Sequence, residues 1–265
     1  MERLVNGPIA SAVDAAADTG ATRLSAGARL APSHGADARH QVEYGAYVGM
    51  ARTKMSGTFS GTVRESIDTV PARVWTYQAG PPASTRASTT VSVFANDTIA
   101  LSPAATLDAG IRLEFVHGTA DGAATGINWR SLLPHAYLRW EFSDRHHIAL
   151  VGGYARNAHV LNHDWLAYGD PSTPVASVAS APAPGIVVSR VGPGTGGSPS
   201  FSAIDEHLQR PVTDEFVIGA EQRLGPSTRV TLTGIARREG HLVGVLNTGV
   251  PSSSYSTLKI GRAHV

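Results

Sequence analysis

The sequence predicts an all-β fold: a partial transmembrane antiparallel β-barrel of about eight long strands in four hairpins. Three observations support this prediction. Apolar and polar residues alternate with a period of two along several segments, as in β-strands with two different faces. Short turns alternate with much longer connections. Several segments also exceed the ~5–6 residues that are usual for strands of soluble sheets.

The composition fits this class and excludes several others. The chain has 265 residues and a formal net charge of +1, so charge gives no indication of a nucleic-acid partner. It contains no cysteine, which excludes disulfides, thiolate metal ligands and cysteine nucleophiles. No apolar run approaches the ~20 residues of a membrane helix, whereas a tilted membrane strand needs only ~9–11.

The N-terminal segment 1–21 is expected to be irregular. Its alanine-rich part has a helical composition, but it directly precedes the first alternating run and is interpreted as a loop. It lacks the basic start and apolar block of a signal peptide. Two alternatives follow: a cytoplasmic protein, or a chain whose true beginning is absent.

Four hairpins are predicted within a barrel domain that spans 22–258. Each hairpin consists of two alternating runs around a few turn-forming residues. The runs pair as 22–31 with 39–51, 88–101 with 106–116, 132–142 with 147–158, and 213–224 with 228–239.

The connections between these hairpins are long and rich in Gly, Pro, Ser and Thr. They cover 52–87, 117–131 and 159–212. Structureless loops of this length are uncommon in compact soluble domains. Outer-membrane barrels, in contrast, combine short periplasmic turns with long extracellular loops, so the connections favour a membrane barrel.

The stretch 106–115 shows how the two faces of the strands are expected to differ. One face is apolar and is predicted to contact lipid; it carries Leu107, Ala109, Ile111, Leu113 and Phe115. The other face is predicted to line a hydrated lumen, where acids and bases on neighbouring strands can pair. The residues assigned to the lumen are Glu43, Asp108, Arg112, Glu114, Arg139, Glu141, Glu215, Glu221 and Arg223.

Aromatic residues near the strand ends leave two interpretations open. They fit interfacial girdles, in which Trp and Tyr lie at the membrane surface, and they fit ordinary loop packing equally well. The residues concerned are Trp75, Tyr77, Trp129, Trp140, Phe142, Trp165 and Tyr168.

Residues 210–251 resemble the C-terminal barrel region of Oar-like TonB-dependent receptors of Gram-negative bacteria. Pro211–Phe216 matches a P-x-T-D-E-F/Y run that opens a strand, and Asn247–Pro251 matches the N-x-G-V-P loop after the next strand. More generic similarity to the preceding strands lies in 70–77, 107–115 and 127–156, with Pro134-His135 where Pro-Arg is usual.

The resemblance covers roughly 22–258 and implies an outer-membrane receptor for ligand uptake. Such receptors have a barrel of about 22 strands, an N-terminal plug domain and a short TonB-binding segment, and neither of the last two is recognisable here. The chain is therefore expected to be an open fragment of barrel wall in the bacterial outer membrane. Its implied partners are outer-membrane lipid and an unidentified small ligand at the extracellular loops, with TonB reached only through the missing plug.

The last residues, 259–265, are expected to be a non-native tail. They do not continue the strand alternation, and IGRAHV reads like a translated sequencing-library adapter. A genuine variable tail is the alternative.

No catalytic, cofactor-binding or metal-ligating residue is predicted, and no cofactor is expected. The histidine cluster lies where a strand leads into a loop and lacks the HExxH pattern, so metal binding is disfavoured. It comprises His146, His147, His159, His163 and Asp164. The glycine-rich run 192–197 lacks the Lys-Ser/Thr of a phosphate loop, and an enzyme is the least supported class.

Three functions remain open. A receptor wall fragment is favoured, followed by a passive porin or surface adhesin barrel, and then by a soluble β-sandwich binding module. A plug domain encoded upstream would distinguish the first from the second. A folded monomer that is soluble without detergent would support the third.

Overall fold

A computed structural model of the chain describes residues 14–32, 39–67, 69–77, 83–143, 147–173, 176–180, 187–191, 202–224 and 227–245. The strands are β1 Asp14–Leu30, β2 His40–Ile67, β3 Val70–Tyr77, β4 Ala83–Ser102, β5 Ala105–Ala120, β6 Ile127–Ser143, β7 Ile148–Ala158, β8 Ala176–Ser180, β9 Val187–Val191, β10 Val212–Arg223 and β11 Arg229–Gly240. A 3₁₀ helix covers His163–Ala167. None of these described segments forms a helix long and apolar enough to cross a bilayer.

The long strands form one antiparallel sheet with the order β1-β2-β4-β5-β6-β7-β10-β11. The four predicted hairpins are thereby confirmed. No pairing joins β1 to β11 among the described residues, so the sheet is open, as the sequence predicts. β1 begins at Asp14. Residues 14–21, which were expected to be irregular, therefore belong to this strand.

Two of the long connections contain strands that their composition does not indicate. β2 runs for 28 residues, and its last part, Gly61–Ile67, pairs with β3. β3 then pairs with β8, and β8 pairs with β9. The strands themselves contain β-branched Val and Thr, which suit a sheet, and their pairing satisfies the backbone groups. The third connection shortens to residues 121–126, between Ala120 and Ile127.

β2 has different partners along its length. It pairs with β1 as far as Ser60 and with β4 as far as Ser56, and its pairing with β3 begins at Gly61. Gly61 has a φ of 145°, a conformation that residues with a Cβ rarely adopt. The small sheet of β3, β8 and β9 is therefore joined to the long sheet through this glycine.

The outward face of the long sheet carries an apolar band, which Asp97 of β4 and Gln222 of β10 interrupt. In β2, β5 and β10 the band runs over 42–50, 107–115 and 216–224, and in β4 and β6 over 91–101 and 132–142. These spans of nine to eleven residues match the ~9–11 that a tilted membrane strand needs. The large side chains of the band are exposed: Leu24, Tyr44, Met50, Val91, Val93, Ile111, Leu113, Phe115, Leu132, Leu138, Trp140, Phe142, Leu150, Phe216, Ile218 and Leu232.

The buried core of the chain lies on the opposite, inward face, at the end of the sheet that bears the long connections. Residues 159–173 and 202–211, which we call the inward segment, fold against β4, β5 and β6 there. Val116, Ile127 and Trp129 contribute to this core from the sheet, and Leu161, Leu166 and Ile204 contribute from the inward segment.

The aromatic residues divide between the two interpretations that the sequence left open. Trp140 and Phe142 are exposed on the outward face and pack edge to face with a centroid distance of 5.4 Å, as in a girdle. Trp129 is buried and packs against Trp165. Tyr168 lies beside them. Trp75 is half-buried in β3, and the side chain of Tyr77 lies outside the described part of the chain.

Candidate functional site

A cleft of about 1040 Å³ lies on the inward face, beneath the inward segment. Most of its lining consists of residues of β1, β2, β4, β5 and β6 that the strand alternation turns away from the apolar band. Arg52 and Arg156, which occupy outward strand positions, also border it. The lining residues on which its chemistry depends are Arg23, Glu43, Arg112, Glu114, His163 and Arg210.

A buried ion pair joins the inward segment to the wall of the cleft. Arg210 Nη1 lies 2.5 Å from Glu114 Oε2, and both side chains are almost fully buried. Arg210 also donates to the His159 carbonyl at 2.9 Å and to Ser131 Oγ at 3.2 Å. Its guanidinium lies 5.7 Å from the ring centroid of Trp129, within cation–π range. Arg210 therefore connects β5, β6 and the inward segment.

Arg112 projects into the cleft beside this pair. Its Nη2 donates to Ser92 Oγ at 3.1 Å. Its Nε lies 3.8 Å from Glu114 Oε1, which is too long for a hydrogen bond, and this buried atom has no acceptor within the described residues. Arg112 thus has one buried donor without an acceptor, while the rest of its side chain is partly exposed and lines the cleft.

A second polar cluster attaches the inward segment to β4. Asp170 is almost fully buried and accepts hydrogen bonds from Ser84 Oγ at 2.5 Å and from Thr173 Oγ1 at 2.9 Å. Arg86 Nε donates to the same carboxylate at 3.3 Å, and its Nη1 donates to the His163 carbonyl at 3.2 Å. The buried charge of Asp170 is therefore paired and hydrogen-bonded, as burial requires.

His163 bridges the inward segment to two strands. Its Nδ1 lies 2.8 Å from Thr53 Oγ1, and its Nε2 lies 2.8 Å from Ser88 Oγ. Burial lowers the pKa of His163 below its usual value, and the positive charges of Arg86 and Arg23 lower it further. The imidazole is therefore neutral at neutral pH and forms hydrogen bonds with hydroxyl groups on both sides.

The histidine cluster is not brought together as a metal site. Both ring nitrogens of His163 are occupied by hydroxyl groups, and His159 Nε2 lies 3.1 Å from Thr213 Oγ1. His147 lies at the turn before β7, at the other end of the sheet. Within the described residues, no three His, Asp or Glu side chains are placed to hold a metal. His146 and the glycine-rich run 192–197 lie outside the described residues.

The residues assigned to the lumen all lie on the inward face, where several pair across strands. Across neighbouring strands, His135 Nε2 lies 3.5 Å from Asp108 and Arg237 Nε lies 2.5 Å from Glu215. Within β6, Arg139 Nη1 lies 2.8 Å from Glu141. Arg139 also lies 3.8 Å from Glu221. The predicted pairing of acids and bases on this face is confirmed.

Sequence reasoning missed Arg86, Asp170 and Arg210. Arg86 lies two residues before Ser88 on the polar side of β4. Continuing the strand alternation upstream of residue 88 would therefore have predicted that Arg86 faces inward. Asp170 and Arg210 lie in the inward segment, where no periodicity indicates that a charged side chain is buried. Their partners are 84 to 96 residues away in sequence.

Comparison with known families agrees with this architecture. Residues 8–194, well over half of the chain, match the family described as TonB dependent receptor-like, beta-barrel. The block 210–251 that carries the Oar-like resemblance lies outside this match. A search of curated proteins gives no match. Family, open antiparallel sheet and outward apolar band agree, and the chain belongs to the TonB-dependent receptor-like β-barrel family.

Proposed function

We propose that this chain forms part of the wall of an outer-membrane receptor that takes up a small ligand with energy supplied through TonB. One observation carries the proposal: an exposed apolar band nine to eleven residues wide lies directly opposite a charged inward face. A soluble β-sandwich would cover that band with a second sheet, and no described element packs against it.

The cleft beneath the inward segment is the proposed site of ligand contact. Its volume of about 1040 Å³ suits a small molecule, since ligand sites are commonly ~300–1,000 Å³. Arg112 and Arg23 both line it and supply positive charge. The inward segment covers the cleft from the side of the long connections, so a ligand passing along this face would meet it.

Movement of a ligand past this point requires displacement of the inward segment. The contacts that resist displacement are the Arg210–Glu114 pair and the buried Asp170 cluster. Separating a buried ion pair costs several kcal/mol because both charges lose their partner. We infer that the segment stays in place at rest and that displacement depends on differential ligand binding or on transmitted energy.

Cysteine labelling of neighbouring residues in β4 tests the proposal. The chain contains no cysteine, so Val91→Cys and Thr90→Cys each give one reactive site. Val91 is exposed on the band, and Thr90 lines the cleft. With the full chain folded into phosphatidylcholine vesicles, a fluorophore at position 91 should be quenched by brominated lipid. A thiol at position 90 should instead react with a water-soluble maleimide.

Two results would contradict the membrane assignment. One is equal quenching and equal maleimide reactivity at both positions. The other is a folded, monomeric chain in buffer without detergent, which would favour the soluble binding module. A passive barrel would give the same labelling pattern as a receptor and is distinguished by whether uptake depends on TonB.

A further inference from the structure

The outward face carries cations immediately beyond the apolar band, at the end that bears the long connections. In β2, Met50 is the last large apolar residue, and the next outward positions are Arg52 and Lys54. In β6, Leu132 closes the band and Arg130 occupies the next outward position. Arg52, Lys54 and Arg130 are all exposed.

The same arrangement recurs in three further strands. Tyr154 in β7 is followed outward by Arg156, and Phe115 in β5 is followed by His117. In β11, Arg238 lies opposite Asp214 of β10, which in turn lies opposite Arg156. We call Arg52, Lys54, Arg130, Arg156 and Arg238 the cationic rim.

The rim has an excess of positive charge. Its acidic neighbours on the outward face are Asp18 of β1 and Asp214 of β10. Asp214 is held by Arg156, whose Nε and Nη2 lie 2.7 Å and 2.9 Å from the carboxylate oxygens. Arg52, Lys54 and Arg130 have no such carboxylate opposite them in the strand register.

The other end of the band differs in charge. The outward position next to Val42 is His40, whose Nδ1 lies 2.6 Å from Asp97. Among the described residues, no Arg or Lys occupies an outward strand position at this turn end. The basic side chain of Arg39 there donates to the carbonyls of Ala100 and Leu101. The positive charge is therefore confined to one end of the band.

We propose that the cationic rim binds the phosphate groups of anionic lipids in the leaflet on the long-connection side. The inference rests on the membrane insertion proposed above. Consecutive outward residues of a strand are ~7 Å apart, so a lipid whose acyl chains cover Met50 or Leu132 would place its phosphate near Arg52 or Arg130. Cations at a membrane surface attract anionic lipid, each contributing about a five-fold preference. The charge asymmetry predicts this preference in one leaflet only.

Site-directed quenching tests the proposal on the full chain. Thr89, which lies opposite Met50 and His117 in the register, is replaced by Cys and labelled near the rim. Leu101→Cys provides a label at the turn end of the same strand. Both variants are folded into phosphatidylcholine vesicles containing a trace of nitroxide-labelled phosphatidate or equally labelled phosphatidylcholine. The quenching ratio of the two lipids gives the local preference for the phosphate headgroup.

The expected result is a preference for phosphatidate at position 89 that exceeds the preference at position 101 and decreases with salt. Arg52→Gln with Arg130→Gln should reduce it at least about five-fold. The conservative pair Arg52→Lys with Arg130→Lys should retain it. As the matched control, Arg223→Gln with Arg229→Gln removes the same charge from the inward face at the turn end and should leave it unchanged.

The possible failures are distinguishable. If neither label is quenched by any lipid, the chain does not insert, and both this inference and the proposed function are wrong. If both labels are quenched with equal preference, or if the glutamine pair at 52 and 130 leaves the preference intact, the rim does not bind lipid phosphate. In that case the membrane assignment stands.

Discussion

The two ends of the long sheet are stabilised by different means, although the same hydrogen-bonded ladder runs through both. At the long-connection end, the inward face packs against Leu161, Leu166 and Ile204, and residues such as Ile127 are almost fully buried. At the turn end, both faces are open, and the inward face carries exposed ion pairs such as Arg139–Glu141. A conventional protein core therefore stabilises one end, whereas the other depends on lipid and on the strand ladder.

The largest expected effect is at the buried ion pair of the long-connection end. Arg210→Ala leaves Glu114 charged and buried and should lower the free energy of unfolding by about 3–5 kcal/mol. Arg139→Ala removes an ion pair whose two side chains are each 47% exposed and should have little effect, because solvent screens exposed pairs. Urea unfolding of both variants in vesicles measures the difference. Similar losses for the two variants would mean that the two ends do not differ in this way.

The next effect concerns apolar packing. Leu166 is fully buried in the core, so Leu166→Ala should cost about 2–5 kcal/mol through the cavity it leaves. Leu132→Ala removes an exposed side chain of the apolar band. Lipid can fill the space, so a smaller loss is expected. Protease cleavage within 159–173 should increase for Leu166→Ala alone. Increased cleavage for both variants would indicate that the core does not hold the segment.

Charge on the lipid face should have a comparable or slightly smaller effect. Ile111→Lys places a charge on the apolar band and should cost up to ~2–4 kcal/mol near the bilayer midplane. Gly110, the neighbouring inward residue, is an unsuitable control, because a Cβ there would meet the side chains of Asn96 and His135. Thr90→Lys serves as the control instead, because Thr90 lines the cleft. Folding yield and urea midpoint in vesicles compare the two, and equal losses would contradict the assignment of faces.

The smallest effect is a dependence on pH. The pKa of His163 is lowered by burial and by Arg86 and Arg23, with Asp164 opposing the shift. Because the pKa in the docked state is below the ~6.5 of a free histidine, the undocked state binds a proton first. The stabilising contribution is therefore complete above pH ~6.5 and decreases as the pH falls below it. Hydrogen exchange over 159–173 should accelerate on acidification, and His163→Gln should remove this dependence. An unchanged pH dependence in that variant would assign it to another group.

The fold was largely predictable, because the membrane imposes a strict pattern on each strand that crosses it. All eight long strands and the inward direction of Arg112 and Glu114 follow from alternation alone. Beyond the band this constraint ends, and strands such as β3 and β8 carry no comparable pattern. The burial of Asp170 and Arg210 depends on side chains far away in sequence. Trp129 is an intermediate case, since extending the alternation of β6 upstream would have turned it inward.

The length of β2 has a mechanical consequence. A strand of 28 residues is about 90 Å long and, when tilted by about 45°, rises roughly twice the ~30 Å thickness of the hydrocarbon layer. With the apolar band in the bilayer, as proposed above, this one strand places the small sheet outside the hydrocarbon layer. The pairing with β3 begins at Gly61, so a force on the small sheet would be transmitted to the wall along β2 as a torque.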